Sequence, residues 1–248
     1  MILEIDGIKK SFGGLVALDG ALLEVRNNTI VGLIGPNGSG KTTLLNVISG
    51  FLVPEGGSIR FNGMDITGFR PFEIARLGLC RTFQLTRLFR RLTVLENMLL
   101  ASRTQDDSLG SVFISRKKLA LHEKADAKRA ADILDFLEIG HLGNEYAGSL
   151  SGGQQKLLNL GMMLMSEPGM VLLDEPVAGV NPSLANRIFE KILKEKEHRT
   201  FLVVEHNVDV LMNFCDYIFV MNRGRIVASG TPDEIQCDET VIEVYLGG

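Results

Sequence analysis

The run Gly35-Pro36-Asn37-Gly38-Ser39-Gly40-Lys41-Thr42-Thr43 constrains this chain more than any other feature. It fits the pattern G-x-x-x-x-G-K-[ST] and lies between an apolar extended run, Thr29 to Ile34, and a helical run that starts near Thr42. Glycine at 38 and 40 lets successive backbone N–H groups turn inward around phosphate oxygens, a conformation that side chains there would hinder. Lys41 supplies a point charge to the β- and γ-phosphates, the Thr42 hydroxyl suits a Mg²⁺ ligand, and the start of the helix adds its positive end. The loop therefore points to a nucleoside triphosphate, with ATP and Mg²⁺ as the expected cofactors.

Two further segments place chemistry at strand ends. Val171-Leu172-Leu173-Asp174-Glu175 is an apolar strand that closes on adjacent carboxylates, where an α/β sheet collects the acids of a nucleotide site. Alone, such a pair reads as a solvated loop. Downstream of a phosphate-binding loop, Asp174 becomes a Mg²⁺ ligand and Glu175 a base that orients the attacking water. His206, one of 4 histidines, ends another apolar strand, Phe201 to Val204, and is expected to reach the γ-phosphate.

The flanking patterns agree with a sheet covered on both faces. Continuous apolar strands at 170–173 and 201–204 imply parallel pairing, with helices between them, including one from Pro182 to about Lys196. Residues 1–34 read as short extended segments, and Asn62-Gly63 between two short strands suits a type I′ hairpin. From about Phe72 to Met165 the spacing turns helical: Ile133, Leu134, Phe136 and Leu137 share a face after the charged run Arg116 to Arg129, and Leu157 to Met165 reads as a buried helix. A terminal hairpin is expected at 218–227, around Asn222-Arg223-Gly224.

Composition excludes some functions. With net charge -4 the chain has no global basic field to capture nucleic acid, and the basic stretch at Arg87, Arg90 and Arg91 reads as a solvated face. The cysteines, Cys80, Cys215 and Cys237, are odd in number and far apart, which suggests reduced thiols rather than a disulfide framework or a zinc site. The N-terminus is acidic where a secretory signal is basic, and no apolar run reaches membrane-spanning length, so the chain is expected to be neither exported nor membrane-spanning.

Leu150-Ser151-Gly152-Gly153-Gln154, joined to the loop at 35–43, resembles the signature of ABC transporter ATP-binding subunits. The resemblance implies a P-loop NTPase fold, α/β with a RecA-like parallel core, an antiparallel β subdomain and an inserted α-helical subdomain. It divides a single ABC ATPase domain into a core at 1–83 and 166–248 and a helical signature part at 84–165. It also implies that Ser151, Gly152, Gly153 and Gln154 close over the nucleotide of a second ATP-binding subunit, identical or not. Phe12 matches the aromatic that stacks on adenine, Gln84 the glutamine that touches Mg²⁺ and water, Gly179-Val180-Asn181-Pro182 the loop after the acids, and His206 the switch histidine. Asn181, Met162 and Asn27-Asn28 depart from the common pattern, where aspartate, arginine and Gly-Glu stand in many relatives.

Within that family the segments 10–20, 81–101 and 203–216 and the ending Val244-Tyr245-Leu246-Gly247 resemble branched-chain amino acid importers. Urea or amide importers and lipopolysaccharide exporters share much of this pattern, and iron-sulfur assembly ATPases are a more distant alternative. The resemblance implies transmembrane permease subunits that dock through residues 84–97, a separate solute-binding protein, and with them a peripheral place for this chain on the cytoplasmic face of the cell membrane.

Overall fold

The computed structural model describes residues 1–82, 88–102 and 116–246. It divides into two compact units, Met1–Gln84 with Gly169–Gly248, and Leu85–Pro168.

The first unit carries two sheets. A six-stranded sheet is built from β3 (Ile30–Ile34), β6 (Leu79–Arg81), β7 (Met170–Asp174), β8 (Thr200–Val204), β9 (Tyr217–Asn222) and β10 (Arg225–Gly230), in the order β10-β9-β3-β8-β7-β6. All neighbours pair in parallel except β9 with β10. β3, β7 and β8 are buried at every residue, the physical counterpart of their unbroken apolar runs. A four-stranded antiparallel sheet, β2-β1-β4-β5, is made of β1 (Leu3–Phe12), β2 (Leu15–Val25), β4 (Gly56–Phe61) and β5 (Met64–Asp65). Along β1 the buried residues Leu3 and Ile5 alternate with less buried Glu4 and Asp6, and the register slips between Ile5 and Ile8, where Gly7 takes a φ of 61°.

Both expected tight turns are present. Asn62 and Gly63 have φ of 50° and 76°, and Arg223 and Gly224 have 46° and 79°, so each pair is left-handed at both positions as a type I′ turn requires. The sequence reading did not foresee β6 inside the stretch taken as helical. Its three residues are too few to show a period, and its partner Met170–Leu172 lies far downstream. After the terminal hairpin come two short helices, also unforeseen: α8 (Pro232–Gln236) and α9 (Glu239–Leu246).

Helix α1 (Lys41–Ile48) sends Leu44, Leu45 and Ile48 into one core with Val31, Leu33, Leu172 and Leu202. α2 (Pro71–Arg76) is short. α6 (Pro182–Glu195) starts at Asn181, whose Oδ1 accepts from Leu184 N–H at 2.8 Å, with Pro182 next, where a missing N–H costs nothing. The Asn181 departure thus keeps a good helix cap. Ala185, Ile188, Phe189 and Ile192 form its buried stripe, and the Phe189 ring stacks on Phe214 of α7 (Val208–Phe214) at 5.2 Å.

The second unit packs α3 (Val94–Leu100), α4 (Arg116–Phe136) and α5 (Gly152–Met165) together. They meet at Gly161, where a Cβ would stand 3.0 Å from both Leu137 Cδ1 and Met98 Sδ, so any larger residue would have to push those side-chain tips aside. On α4 the buried stripe is Ala130 and Leu134, continued by Leu137 just past its end, with Ile133 and Phe136 half-buried at its margin. Met162 is also half-buried, so that departure sits on the edge of a hydrophobic contact. Asn97 is fully buried and satisfied: Oδ1 accepts from Phe89 N–H at 2.9 Å and Nδ2 donates to Thr93 O at 2.8 Å and Phe89 O at 3.1 Å.

The three cysteines form no disulfide among the described residues. Burial, with Asp216 adding, pushes the Cys215 thiol up to about 12, which keeps it neutral and inert.

Phe189→Ala empties a fully buried ring site between α6 and α7. A loss of about 3–5 kcal/mol is expected, read as a lower midpoint in urea unfolding.

Candidate nucleotide site

β3, β8 and β7 run parallel and adjacent, so their C-terminal ends open on the same side of the sheet. The loop at 35–43 leaves β3, Asp174 and Glu175 end β7, and Glu205 and His206 follow β8. A cavity of ≈ 370 Å³ gathers residues of the loop, Asn37 to Thr43, with Phe12, Glu175 and His206. Pro36 is half-buried beside it, Thr42 and Gly38 are exposed, and Ser39 and Lys41 are buried. Phe12, 47% exposed, joins the exposed Leu15 and Val16 as the apolar part of this wall.

Glycine is required in this loop for two separate reasons. Gly38 has φ of 77° with open space around a would-be Cβ, so only its backbone conformation demands glycine. Gly40 (φ 109°) and Gly35 (φ 152°) are also crowded: a Cβ would lie 2.6 Å from Ala17 O and 2.0 Å from Met221 O, respectively. The fold packs β2 and the end of β9 against the loop, which sequence spacing cannot reveal.

Lys41 curls back over the loop, donating from Nζ to Gly35 O at 2.8 Å and Pro36 O at 3.0 Å. Burial lowers its pKa, and the nearby charges of Glu175 and Asp174 work against that fall. The acids and the loop therefore share one electrostatic environment.

Glu175 adopts a left-handed backbone, φ 50°, costly for a residue with a Cβ. Its N–H donates to Val204 O at 2.9 Å, and its Oε1 stands 2.7 Å from His206 Nε2. The Glu175 side chain is 19% exposed and the His206 side chain 50%, so the pair faces the cavity and water. Two sequence-predicted residues thus meet directly.

Among the described residues, Asp174 accepts side-chain hydrogen bonds on Oδ2 alone. The Arg81 guanidinium donates to Oδ2 at 2.8 Å, to Asn46 Oδ1 at 2.7 Å and to Ser49 Oγ at 3.1 Å. Both side chains of the Arg81–Asp174 pair are buried, 8% and 4% exposed. The reading of the sequence missed Arg81 in this role; the one signal was a charged residue inside a short apolar strand. It also missed Glu205, 4% exposed, whose carboxylate accepts from Val177 N–H at 2.8 Å and His206 N–H at 3.3 Å.

Gln84 and Arg87 lie outside the described residues. Ser151, Gly152, Gly153 and Gln154 belong to the second unit and open α5. Ser151 N–H donates to Gln154 Oε1 at 2.8 Å and Gln154 N–H to Ser151 Oγ at 3.4 Å, a reciprocal cap. A larger cavity, ≈ 670 Å³, is lined by Glu4, Arg60 and Tyr217 among others and gathers none of the sequence-predicted site residues. No described helix is long and apolar enough to cross a membrane.

A parallel sheet whose strand ends carry a phosphate-type glycine loop, paired acids and a histidine defines a P-loop nucleoside triphosphatase. Residues 18–178 match the family described as ABC transporter, and residues 225–248 match the one described as branched-chain amino acid ATP-binding cassette transporter. The probable branched-chain amino acid transport ATP-binding protein LivG of Methanocaldococcus jannaschii is 42% identical over 252 residues, covering 99% of this chain and 97% of that protein. The high-affinity branched-chain amino acid transport ATP-binding protein BraF of Pseudomonas aeruginosa is 39% identical over 249 residues, covering 99% and 98%. Crystal structures of a nucleotide-free ATP-binding cassette from an ABC transporter, and of the ADP conformation of such a cassette, each superpose with a TM-score of 0.85 at 40% identity over 100% of this chain and 99% of theirs. This chain belongs to the ABC transporter family, as an ATP-hydrolysing, ATP-binding subunit.

Arg81→Met strips a buried carboxylate of its partner. A stability loss of about 3–5 kcal/mol is expected, measurable by denaturant unfolding, and a change below about 1 kcal/mol would show that the pair is not closed in solution.

Proposed function

We propose that the chain drives import of branched-chain or similar amino acids by hydrolysing Mg²⁺-ATP at sites shared between two ATP-binding subunits, each a single ABC ATPase domain, beneath transmembrane permease subunits fed by a solute-binding protein. The observation that carries the catalytic reading is the Glu175–His206 contact at 2.7 Å on the cavity lined by the glycine loop. The solute is supported by the names of the relatives.

In this reading the loop N–H groups and Lys41 grip the phosphates, while Phe12 offers an exposed face for the adenine ring. The exposed Thr42 hydroxyl and the carboxylate oxygen of Asp174 not bonded to Arg81 suit a hard cation that keeps several waters. Mg²⁺ held there would supply charge neutralisation to the transferring phosphoryl group. Glu175 accepts hydrogen bonds from the attacking water and aims it, and His206 fixes the carboxylate and faces the γ-phosphate. Gln84, outside the described residues, is proposed to touch Mg²⁺ and the water.

The start of α5 serves the partner's nucleotide. Its helix has 14 residues, and Gly152 is exposed with nothing near a would-be Cβ, so backbone N–H groups at a positive helix end lie open to an anion. The permease is proposed to dock along residues 84–97, where Phe89 (57% exposed), Arg90 and Arg91 lie at the surface.

Two outcomes test this reading. Glu175→Gln keeps size and hydrogen-bonding reach but loses the carboxylate, so it is expected to bind ATP, form a dimer that ADP does not support, and lose at least about 100-fold in turnover. Ser151→Arg in that background should abolish the dimer by light scattering; a dimer that persists would sink the shared site. Charge reversal at Arg90 and Arg91 should abolish leucine uptake by the assembled transporter while leaving basal hydrolysis of the isolated subunit within about twofold.

A further inference from the structure

Glu205 follows β8 as a buried carboxylate, next to but distinct from the residues that face the cavity. Its Oε1 accepts the Val177 N–H at 2.8 Å and its Oε2 accepts the His206 N–H at 3.3 Å. The first bond crosses to the turn that leaves β7, and the second closes on the segment that carries His206. We propose that Glu205 is a positioning residue for hydrolysis, a clamp that locks the Glu175 turn to the His206 segment and so sets the Glu175–His206 contact. This rests on the reading that Glu175 and His206 act on the attacking water and the γ-phosphate.

Three features support a clamp over ordinary burial. Glu175 holds φ at 50°, and a strained backbone of that kind persists only where its surroundings fix it on more than one side. Here the turn is fixed twice: Glu175 N–H bonds Val204 O at 2.9 Å, and two residues later Val177 N–H bonds Glu205. Val204 and Glu205 are consecutive, so one short piece of β8 and its exit holds both ends of the turn. Second, two backbone N–H groups converge on one side chain, which calls for a group with two acceptor oxygens. An ionised carboxylate meets that need with charge-assisted bonds, whereas an amide offers one oxygen and turns a donor toward the other N–H. Third, both of these Glu205 bonds go to backbone N–H groups, while the Glu175 and His206 side chains line the cavity. The clamp therefore acts on geometry and leaves phosphate binding, through Lys41 and Thr42, to the loop.

The test uses the full chain with Glu205→Gln and Glu205→Ala, measuring ATP affinity with a fluorescent analogue, kcat, and thermal melting. Glu205→Ala is expected to lower kcat by about 10- to 100-fold, the scale of a misplacement near 1 Å, with nucleotide affinity within about twofold. Glu205→Gln should retain one bond and fall between the alanine variant and the parent. Because Glu205 acts through Glu175, adding Glu205→Gln to Glu175→Gln should slow the residual single-turnover rate no further. If the alanine variant does not fold, the near-isosteric glutamine variant decides the matter. Full kcat in Glu205→Gln, equal losses of affinity and kcat, or multiplicative losses in the double variant would each overturn the clamp while leaving the catalytic reading in place. Full activity of Glu175→Gln alone would remove the catalytic reading, and the clamp with it.

Discussion

The parallel hydrogen bonding of β8 between β3 and β7 is the constraint on which the rest of the site depends. Parallel neighbours end on the same side, so three segments far apart in the chain deliver their following residues to one place. The glycine loop leaves the first strand, the acids end the third, and Glu205 with His206 leaves the middle one. A middle strand can reach both neighbours: Val204 pairs with Leu33 of β3, and Val204 and Glu205 bond the Glu175 turn after β7. All three strands are buried throughout, so slipping their register would expose apolar residues and displace every functional group together.

Buried charge in this unit is placed where it can be compensated. Lys41 is desolvated yet held by loop carbonyls within the field of Glu175 and Asp174. Asp174 is tied by Arg81 to Asn46 of α1, the helix that begins with Lys41, and to Ser49 at its C-cap. One guanidinium thus links the strand that carries the acid to the helix that carries the loop's lysine. Isolated charges at such depth would be prohibitive; a network of short bonds makes them tolerable and keeps them in register.

The second unit presents an exposed helix start at Gly152. The reciprocal Ser151–Gln154 cap settles the side-chain hydrogen bonds at this end of α5, and Gly152 leaves the backbone uncovered. Such a surface is complete within its own unit, and the proposed function assigns it to the nucleotide of the partner subunit.

Much of this was legible in the sequence because it depends on local rules. The loop at 35–43, the buried strands, the Asn62-Gly63 turn, the helix from Pro182 and the buried helix at 157–165 each follow from short-range pattern and backbone preference. Where the pattern was too brief, it failed: β6 has three residues and exists through pairing with β7, and the two short helices at the end went unseen. Position at the ends of apolar strands marked Glu175 and His206 as site candidates, but their contact required β7 and β8 to lie side by side. Arg81 and Glu205 stood in plain view as ordinary charged residues. Their meaning depends on partners that the chain brings together across distances of sequence that no local pattern records, and on burial that makes a charge costly unless those partners are present. The sequence by itself determined the phosphate loop, the acids and the helical signature; tertiary packing alone decided which backbone and which charges hold them in place.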